Sequence, residues 1–146
     1  MPEKVTKAPP KGYTTLSGKC PQSGTTIDFL LSLKQFKTVQ RYMPYWKVMA
    51  VKSIPEVLSA PTAYLKNLQR EGFDDAFCVA GRPSSYYRAP DIETPFPHEM
   101  LLCVIVSWDD RGWIILDWEK RPEDPQLRGV PENGQRDFGE LIWTAN

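Results

Sequence analysis

The side chains best suited to metal binding or catalysis are two carboxylates near the end of an apolar run, Asp117 and Glu119. Side chains two positions apart on a strand point to the same face, so these carboxylates would lie side by side. Asp91, which follows Pro90, is a third acid further upstream. Carboxylate oxygens are the ligands that Mg²⁺ prefers, so a converging set of three would suit a divalent-metal-dependent hydrolase.

With Lys120 added, this set resembles the motif of a nuclease family, in which Pro-Asp is followed by Asp or Glu, one intervening residue and Lys on a hairpin strand. The resemblance implies acids that hold magnesium and a lysine that positions the attacking water. In this chain Glu119 stands where the family has its lysine, and Lys120 would face the opposite side of the strand. The alternative is that residues 117–124 are the polar end of a strand entering a loop.

A second candidate site is a basic and aromatic stretch between residues 34 and 52, which contains no acid. Lysine and arginine pair with phosphates and aromatic rings stack on bases, so the stretch predicts a surface for single-stranded nucleic acid. The residues that would carry this function are Lys34, Lys37, Arg41, Tyr45, Trp46 and Lys47. The alternative is an amphipathic helix and strand with inward aromatic rings and solvated lysines.

A third candidate is a Pro-rich stretch over residues 82–99 that shows no hydrophobic period and is predicted to be a loop. Loops carry function more often than core elements, and arginine and tyrosine are frequent anchors of protein interfaces. The stretch therefore predicts a protein-binding surface made of Arg82, Tyr86, Tyr87 and Arg88. The alternative is that this segment packs onto the sheet.

The segment from Gly12 to Thr26 contains fragments of two well-known motifs and completes neither. Gly12 and Gly18 are six positions apart, which is one more than a phosphate-binding loop allows, and Cys20 replaces the hydroxyl that would meet magnesium. A zinc knuckle would need a second cysteine close behind Cys20, and none follows it there. The sequence therefore predicts no cofactor and no structural metal.

Charge is divided unevenly along the chain, although the formal net charge is zero. Residues 1–52 carry nine Lys or Arg against two acids, and residues 53–146 carry nine against sixteen, so the two parts have charges of +7 and −7. Such a split indicates either a nucleic-acid or acidic partner for the basic part or two parts that neutralise each other when they pack.

The cysteines and the N-terminus indicate a cytoplasmic protein. Cys78 and Cys103 lie in apolar runs rather than in a disulfide framework. The first residues lack the apolar core of a secretory signal, and no apolar run approaches the length of a membrane span.

Hydrophobic periodicity divides the chain into a flexible basic arm over residues 1–25 and one domain over residues 26–146. Apolar residues at a spacing of mostly three predict a helix over about 27–41, with a strand over 28–33 as the alternative. The remaining predicted elements are a strand over 45–52, a helical turn at Ser53, a helix that ends at Glu71, a strand over 73–81, a hairpin over about 100–119 and a short helix after Asp137.

These elements predict an α+β domain with a mostly antiparallel sheet of about four strands, which includes the central hairpin, packed by two main helices and joined by long Pro-rich loops. No acid–base set suited to catalysis stands out, so the leading hypothesis is a small non-catalytic binding domain that acts through protein–protein interaction. An inhibitor-like, an immunity-like and a self-associating role are all open. Nucleic-acid binding and metal-dependent hydrolysis are the alternatives.

Overall fold

The computed structural model describes residues 9–43, 45–70, 73–83, 100–122 and 139–145, which form a single α+β domain. Its strands are β1 (Tyr13–Lys19), β2 (Thr26–Ser32), β3 (Ala63–Arg70), β4 (Phe73–Gly81), β5 (Met100–Asp109), β6 (Gly112–Pro122) and β7 (Glu140–Thr144). Its helices are α1 (Leu33–Tyr42), α2 (Tyr45–Ala50) and α3 (Ile54–Ser59), and a 3₁₀ turn at Val51–Ser53 joins α2 to α3.

All seven described strands belong to one mixed sheet, in the order β1-β2-β6-β5-β4-β3-β7. The pair β2 and β6 is parallel, and the other neighbouring pairs are antiparallel. The predicted sheet of about four mostly antiparallel strands is therefore wrong, because the described sheet is mixed and has seven strands. The α+β class is confirmed, but β1, β3 and β7 were not predicted as strands, and β2 was predicted as a strand only in the alternative interpretation.

The predicted helix over about 27–41 is wrong in its first part, because residues up to Ser32 form β2 and the helix begins at Leu33. Ile27, Phe29 and Leu31 face the main core, while Leu30 is buried outside that core cluster. β2 lies between β1 and β6 and buries apolar side chains of both parities, so the alternation typical of a half-buried strand is missing. The alternative of a strand over 28–33 is confirmed for most of its length.

The chain from residue 45 to residue 59 is helical, so the predicted strand over 45–52 is wrong. Its buried side chains, Ala50, Ile54, Val57 and Leu58, recur at three- and four-residue spacings that suit one face of a helical path. The predicted helix that ends at Glu71 is also wrong, because that segment contains β3.

Both ends of the described chain add edge strands to the sheet. Residues 13–19, which were predicted to belong to a flexible arm, form β1 and pair with β2 along their whole length. Residues 140–144 form β7 instead of the predicted final helix, and Leu141 packs beside the buried side chains of β3 and β4. The predicted helix cap, Asp137, lies outside the described residues.

The predicted hairpin is confirmed as β5 and β6, which lie at the centre of the sheet. Asp109 pairs with Gly112, whose φ of +125° suits glycine at the end of the turn. A bulge at Leu116 shifts the register of β6, because Val106 pairs with Ile115 while Ile105 pairs with Asp117. As a result, the main core contains Trp113, Ile115 and Trp118 together.

Helix α3 packs closely on the sheet where two glycines give it room. A Cβ atom on Gly18 would lie 2.4 Å from the Cβ of Leu58, and one on Gly81 would lie 3.1 Å from Cγ1 of Val57. The main core lies between the helices and this side of the sheet. Two smaller clusters of buried residues consist of strand residues alone.

Candidate functional site

Helix α1 presents three exposed cations and no acid. Lys34, Lys37 and Arg41 are three and four positions apart, so they lie on one face of the helix. Tyr42 follows Arg41 and is 72% exposed, whereas Val39 is the residue of α1 that is buried. The helix therefore turns a cationic face with an aromatic end toward solvent.

Helix α1 is held in place by two polar contacts, which Ser32 and Gln35 make at its first turn. Ser32 caps the helix, because its hydroxyl oxygen accepts a hydrogen bond of 3.2 Å from the backbone N–H of Gln35. The side-chain Nε2 of Gln35 donates to the carbonyl of Leu116 at 2.7 Å. β2 ends at Ser32, so the Gln35 side chain, rather than a backbone N–H of β2, donates to the Leu116 carbonyl of β6.

An open cavity of about 650 Å³, here called the α1 groove, borders the cationic face. It is lined by Lys34, Lys37, Thr38, Gln40, Arg41 and Tyr42. Its lining offers three cations, an amide, a hydroxyl and an aromatic ring, and none of these residues is acidic. This chemistry suits an anionic ligand that also offers a flat ring.

Helix α2 contacts β6 through Lys47, whose side chain and backbone carbonyl both bind residues of that strand. Lys47 Nζ lies 2.9 Å from Asp117 Oδ1, and the two side chains are 12% and 23% exposed. The indole Nε1 of Trp118 donates to the Lys47 carbonyl at 2.7 Å, and Lys47 Nζ lies 5.7 Å from the centre of the Trp118 ring. A candidate phosphate-binding residue and a candidate metal ligand are therefore paired with each other.

A second cavity, of about 580 Å³ and here called the β6 cavity, lies between α1, the start of α2 and the second half of β6. The described residues that line it are Ser32, Lys34, Gln35, Thr38, Val39, Met43, Lys47, Leu116, Asp117 and Glu119. Asp117 and Glu119 line it together and occupy alternate positions on β6. Lys34 and Thr38 line both cavities, so α1 forms the ridge between them.

The structure places the predicted nucleic-acid residues on two helices. Lys34, Lys37 and Arg41 are exposed on α1. Tyr45 and Trp46 begin α2, but their side chains lie outside the described part of the structure. Whether these two aromatic rings join the cationic face stays a prediction.

The predicted protein-binding residues lie mostly beyond the described ranges. Arg82 directly follows β4 and is exposed. Tyr86, Tyr87 and Arg88 lie outside the described residues, so their common surface stays a prediction.

The predicted metal-binding set is described only in part, because Asp91 lies outside the described ranges. Among residues 9–43, 45–70, 73–83, 100–122 and 139–145, no three His, Cys, Asp or Glu side chains are placed to hold a metal ion together. The three cysteines, all of which are described, are buried and form no disulfide. The described helices are each too short or too polar to cross a membrane.

Several lining residues escaped the sequence prediction, among them Gln35, Thr38 and Met43. A usable signal was present in the spacing of Ser32 and Gln35, which matches the start of a helix with a capping box. That signal places the helix start at residue 33 rather than 27. In a helix with this start, Lys34, Lys37 and Arg41 all lie within the helix and share one face.

Among the residues that the structure describes, those with shifted pKa values line neither cavity. Hydrogen bonds from the Arg111 side chain are the main cause that lowers the pKa of Asp109, with Nη2 donating to Oδ2 at 2.6 Å. The backbone N–H of Arg111 also donates to Asp109 Oδ1, at 2.8 Å, and acts in the same direction. Burial raises the pKa of Tyr64, and the nearby Cys20 adds to the increase. These shifts therefore describe the hairpin turn and β3 rather than a reactive centre.

Comparison with protein-family models, with curated proteins and with solved structures finds no match to this chain. The geometry of α1 and its two cavities is therefore the basis on which a function can be assigned.

Proposed function

We propose that this protein is a non-catalytic binding domain that holds single-stranded nucleic acid along α1. One observation carries the proposal: the exposed cations Lys34, Lys37 and Arg41 share a helix face that borders an open groove and contains no acid. A helix rises by about 1.5 Å per residue, so these cations span about 10 Å and can follow a short run of phosphates.

The exposed aromatic ring favours a single strand over a duplex. Tyr42 lines the α1 groove and is 72% exposed. An exposed ring can stack on an unpaired base, whereas a duplex hides the faces of its bases inside the stack. Cations for the backbone and a ring for a base are the two parts that such binding requires.

The proposal makes a quantitative statement about salt. Each phosphate contact to a single strand contributes about −0.7 to the slope of log K against log salt concentration. Three contacts from α1 therefore give a slope of about −2, and removing two of them reduces its magnitude by about 1.4.

The test measures the fluorescence anisotropy of a labelled single-stranded DNA oligonucleotide over a range of salt concentrations. The variant Lys37→Glu/Arg41→Glu is expected to bind at least about tenfold more weakly at low salt and to show the shallower slope. The control Lys11→Glu/Lys19→Glu makes the same charge change at exposed residues outside α1 and is expected to retain the slope of the unaltered protein.

Equal affinity and equal slope in the charge-reversed α1 variant and in the unaltered protein would rule out α1 as a nucleic-acid surface. A protein partner would then become the leading candidate, and one observation already favours it. Leu33 and Met43, at the two ends of α1, are 41% and 46% exposed. Exposed methionine and aromatic side chains beside arginine are typical of protein interfaces.

A cytoplasmic location is part of the proposal. It is supported by Cys20, Cys78 and Cys103, which are buried and form no disulfide. Thiols of this kind are typical of proteins in a reducing compartment.

A further inference from the structure

We infer that the β6 cavity takes an unpaired guanine base from a nucleic-acid strand that lies along α1. The inference rests on the proposed function and adds a base preference to it. The two cavities share Lys34 and Thr38, so a nucleotide can leave its phosphate at the cationic face while its base enters the β6 cavity. A base that is turned out of its stack can be read through its Watson–Crick edge.

The walls of the β6 cavity suit the two faces of a flat base. Val39 and Met43 line it from the helix side, and Leu116 lines it from β6. Ligand pockets are mostly apolar and contain a few polar groups that fix orientation. The volume of about 580 Å³ is also within the usual range for such pockets.

The polar groups of the cavity favour a ligand with hydrogen-bond donors. Asp117 and Glu119 line it together, and both are carboxylates. Lys47 offsets the charge of Asp117 through the 2.9 Å ion pair, and Glu119 adds a second carboxylate to the lining. A carboxylate has about four lone-pair positions and can accept hydrogen bonds from a ligand as well as from the protein.

Guanine fits this requirement better than the other standard bases. Its Watson–Crick edge presents adjacent N1–H and N2–H₂ donors, which one carboxylate can accept together. Adenine and cytosine place a ring-nitrogen acceptor beside their amino group, and uracil and thymine place carbonyl oxygens on both sides of their N–H. Each of these bases would turn at least one acceptor toward Glu119, and that repulsion supplies the discrimination.

The test compares two labelled oligonucleotides, an all-thymidine strand and the same strand with one central guanosine. The guanosine is expected to raise the affinity of the unaltered protein by about tenfold, which is the usual gain from a two-bonded base contact. Glu119→Gln is expected to abolish that gain, because its amide turns an N–H₂ donor toward a donor edge. Glu140→Gln, the same change at an exposed position on β7, is expected to retain it.

A second variant guards against an effect of Glu119→Gln on folding. Met43→Ala removes an apolar wall at a residue that is 46% exposed, and it is expected to reduce the guanosine preference while leaving the thermal melting temperature close to that of the unaltered protein. Retention of the full preference in both Glu119→Gln and Met43→Ala would overturn the inference.

The outcomes separate the inference from the proposed function. Equal binding of both oligonucleotides by the unaltered protein, with the α1 salt slope intact, would overturn the guanine site and leave the proposed function standing. If neither oligonucleotide binds, the proposed function fails. Calorimetric titration with GMP and AMP then tests whether the β6 cavity prefers guanine. Binding of GMP over AMP that is lost in Glu119→Gln would support the guanine site, and no such preference would overturn it.

Discussion

At the scale of single residues, Gly18 controls how closely α3 approaches the sheet. A Cβ atom there would lie 2.4 Å from Leu58 Cβ and 3.2 Å from Phe29 Cε1. The Leu58 atom is next to the backbone, so rotation of a side chain cannot relieve the clash. Gly18→Ala is therefore expected to destabilise the domain by about 1–3 kcal/mol, less a few tenths regained from a stiffer unfolded chain.

The measurement for Gly18→Ala is the thermal melting temperature followed by circular dichroism. In a chain of this length, 1 kcal/mol corresponds to a change of about 2–4 °C. Ser17→Ala is the control, because Ser17 is exposed on the same strand and its variant is expected to melt near the unaltered temperature. An unchanged melting temperature in Gly18→Ala would show that α3 does not pack on β1 as described.

The candidate binding residues of α1 could be chosen from the sequence, whereas the contacts of the neighbouring candidate Lys47 could not be predicted. Lys34, Lys37 and Arg41 were identified by charge alone, and they are exposed on one helix face. Lys47 belonged to the same predicted set, yet its side chain is 12% exposed and pairs with Asp117. The two residues are seventy positions apart in the chain, so no local pattern could reveal that contact.

At the scale of elements, the ion pair between Lys47 and Asp117 joins α2 to β6. Breaking a mostly buried pair by removing one partner leaves the other charge poorly solvated. We expect Lys47→Met to lower the free energy of unfolding by about 2 kcal/mol, since some exposure remains at both side chains. Adding Asp117→Asn to this variant removes the remaining charge and is expected to restore part of the loss.

Chemical denaturation of the two single variants and the double variant measures this coupling. Lys52→Met is the matched control, because Lys52 is exposed on the neighbouring 3₁₀ turn and its loss is expected to change stability by less than about 0.5 kcal/mol. If the effects of Lys47→Met and Asp117→Asn simply add, the two side chains do not stabilise the fold as a pair.

Elements with local signals were predicted correctly, and elements that depend on distant pairing were not. The hairpin of β5 and β6 combines two apolar runs with a turn that ends at Gly112, so neighbouring residues specify it. β2 lies in parallel with β6, which it meets through residues more than eighty positions away. Its apolar side chains of both parities hide the strand period, so a helix was predicted for the same residues.

At the scale of the whole molecule, the α+β class followed from mixed periodicity, while the seven strands and their order required the complete structure. β1 and β7 each pair with only one described neighbour, and short edge strands carry weak sequence signals. The charge split between +7 and −7 likewise became informative only when the structure placed three exposed cations together on α1.

The same sheet order predicts a gradient of local stability across the molecule. β5 and β6 are paired on both sides, and residues 101–106 of β5 are at most 2% exposed. In β7, Ile142 and Trp143 are 52% and 43% exposed, and a register shift interrupts its pairing with β3. Amide groups in central, buried strands open only with most of the structure, whereas those of an edge strand open locally.

Amide hydrogen exchange followed by NMR measures this gradient residue by residue. The hydrogen-bonded amides of β5 and β6 are expected to exchange about a hundredfold or more slowly than those of β7, because the free energy of local opening ranges from near zero at frayed edges to the global value in the core. Mild denaturant is expected to accelerate exchange in β5 and β6 much more than in β7, since only global opening exposes a large surface. If β7 exchanges as slowly as β5 and responds equally to denaturant, it opens only when the core opens. The sheet would then be one cooperative unit out to that edge.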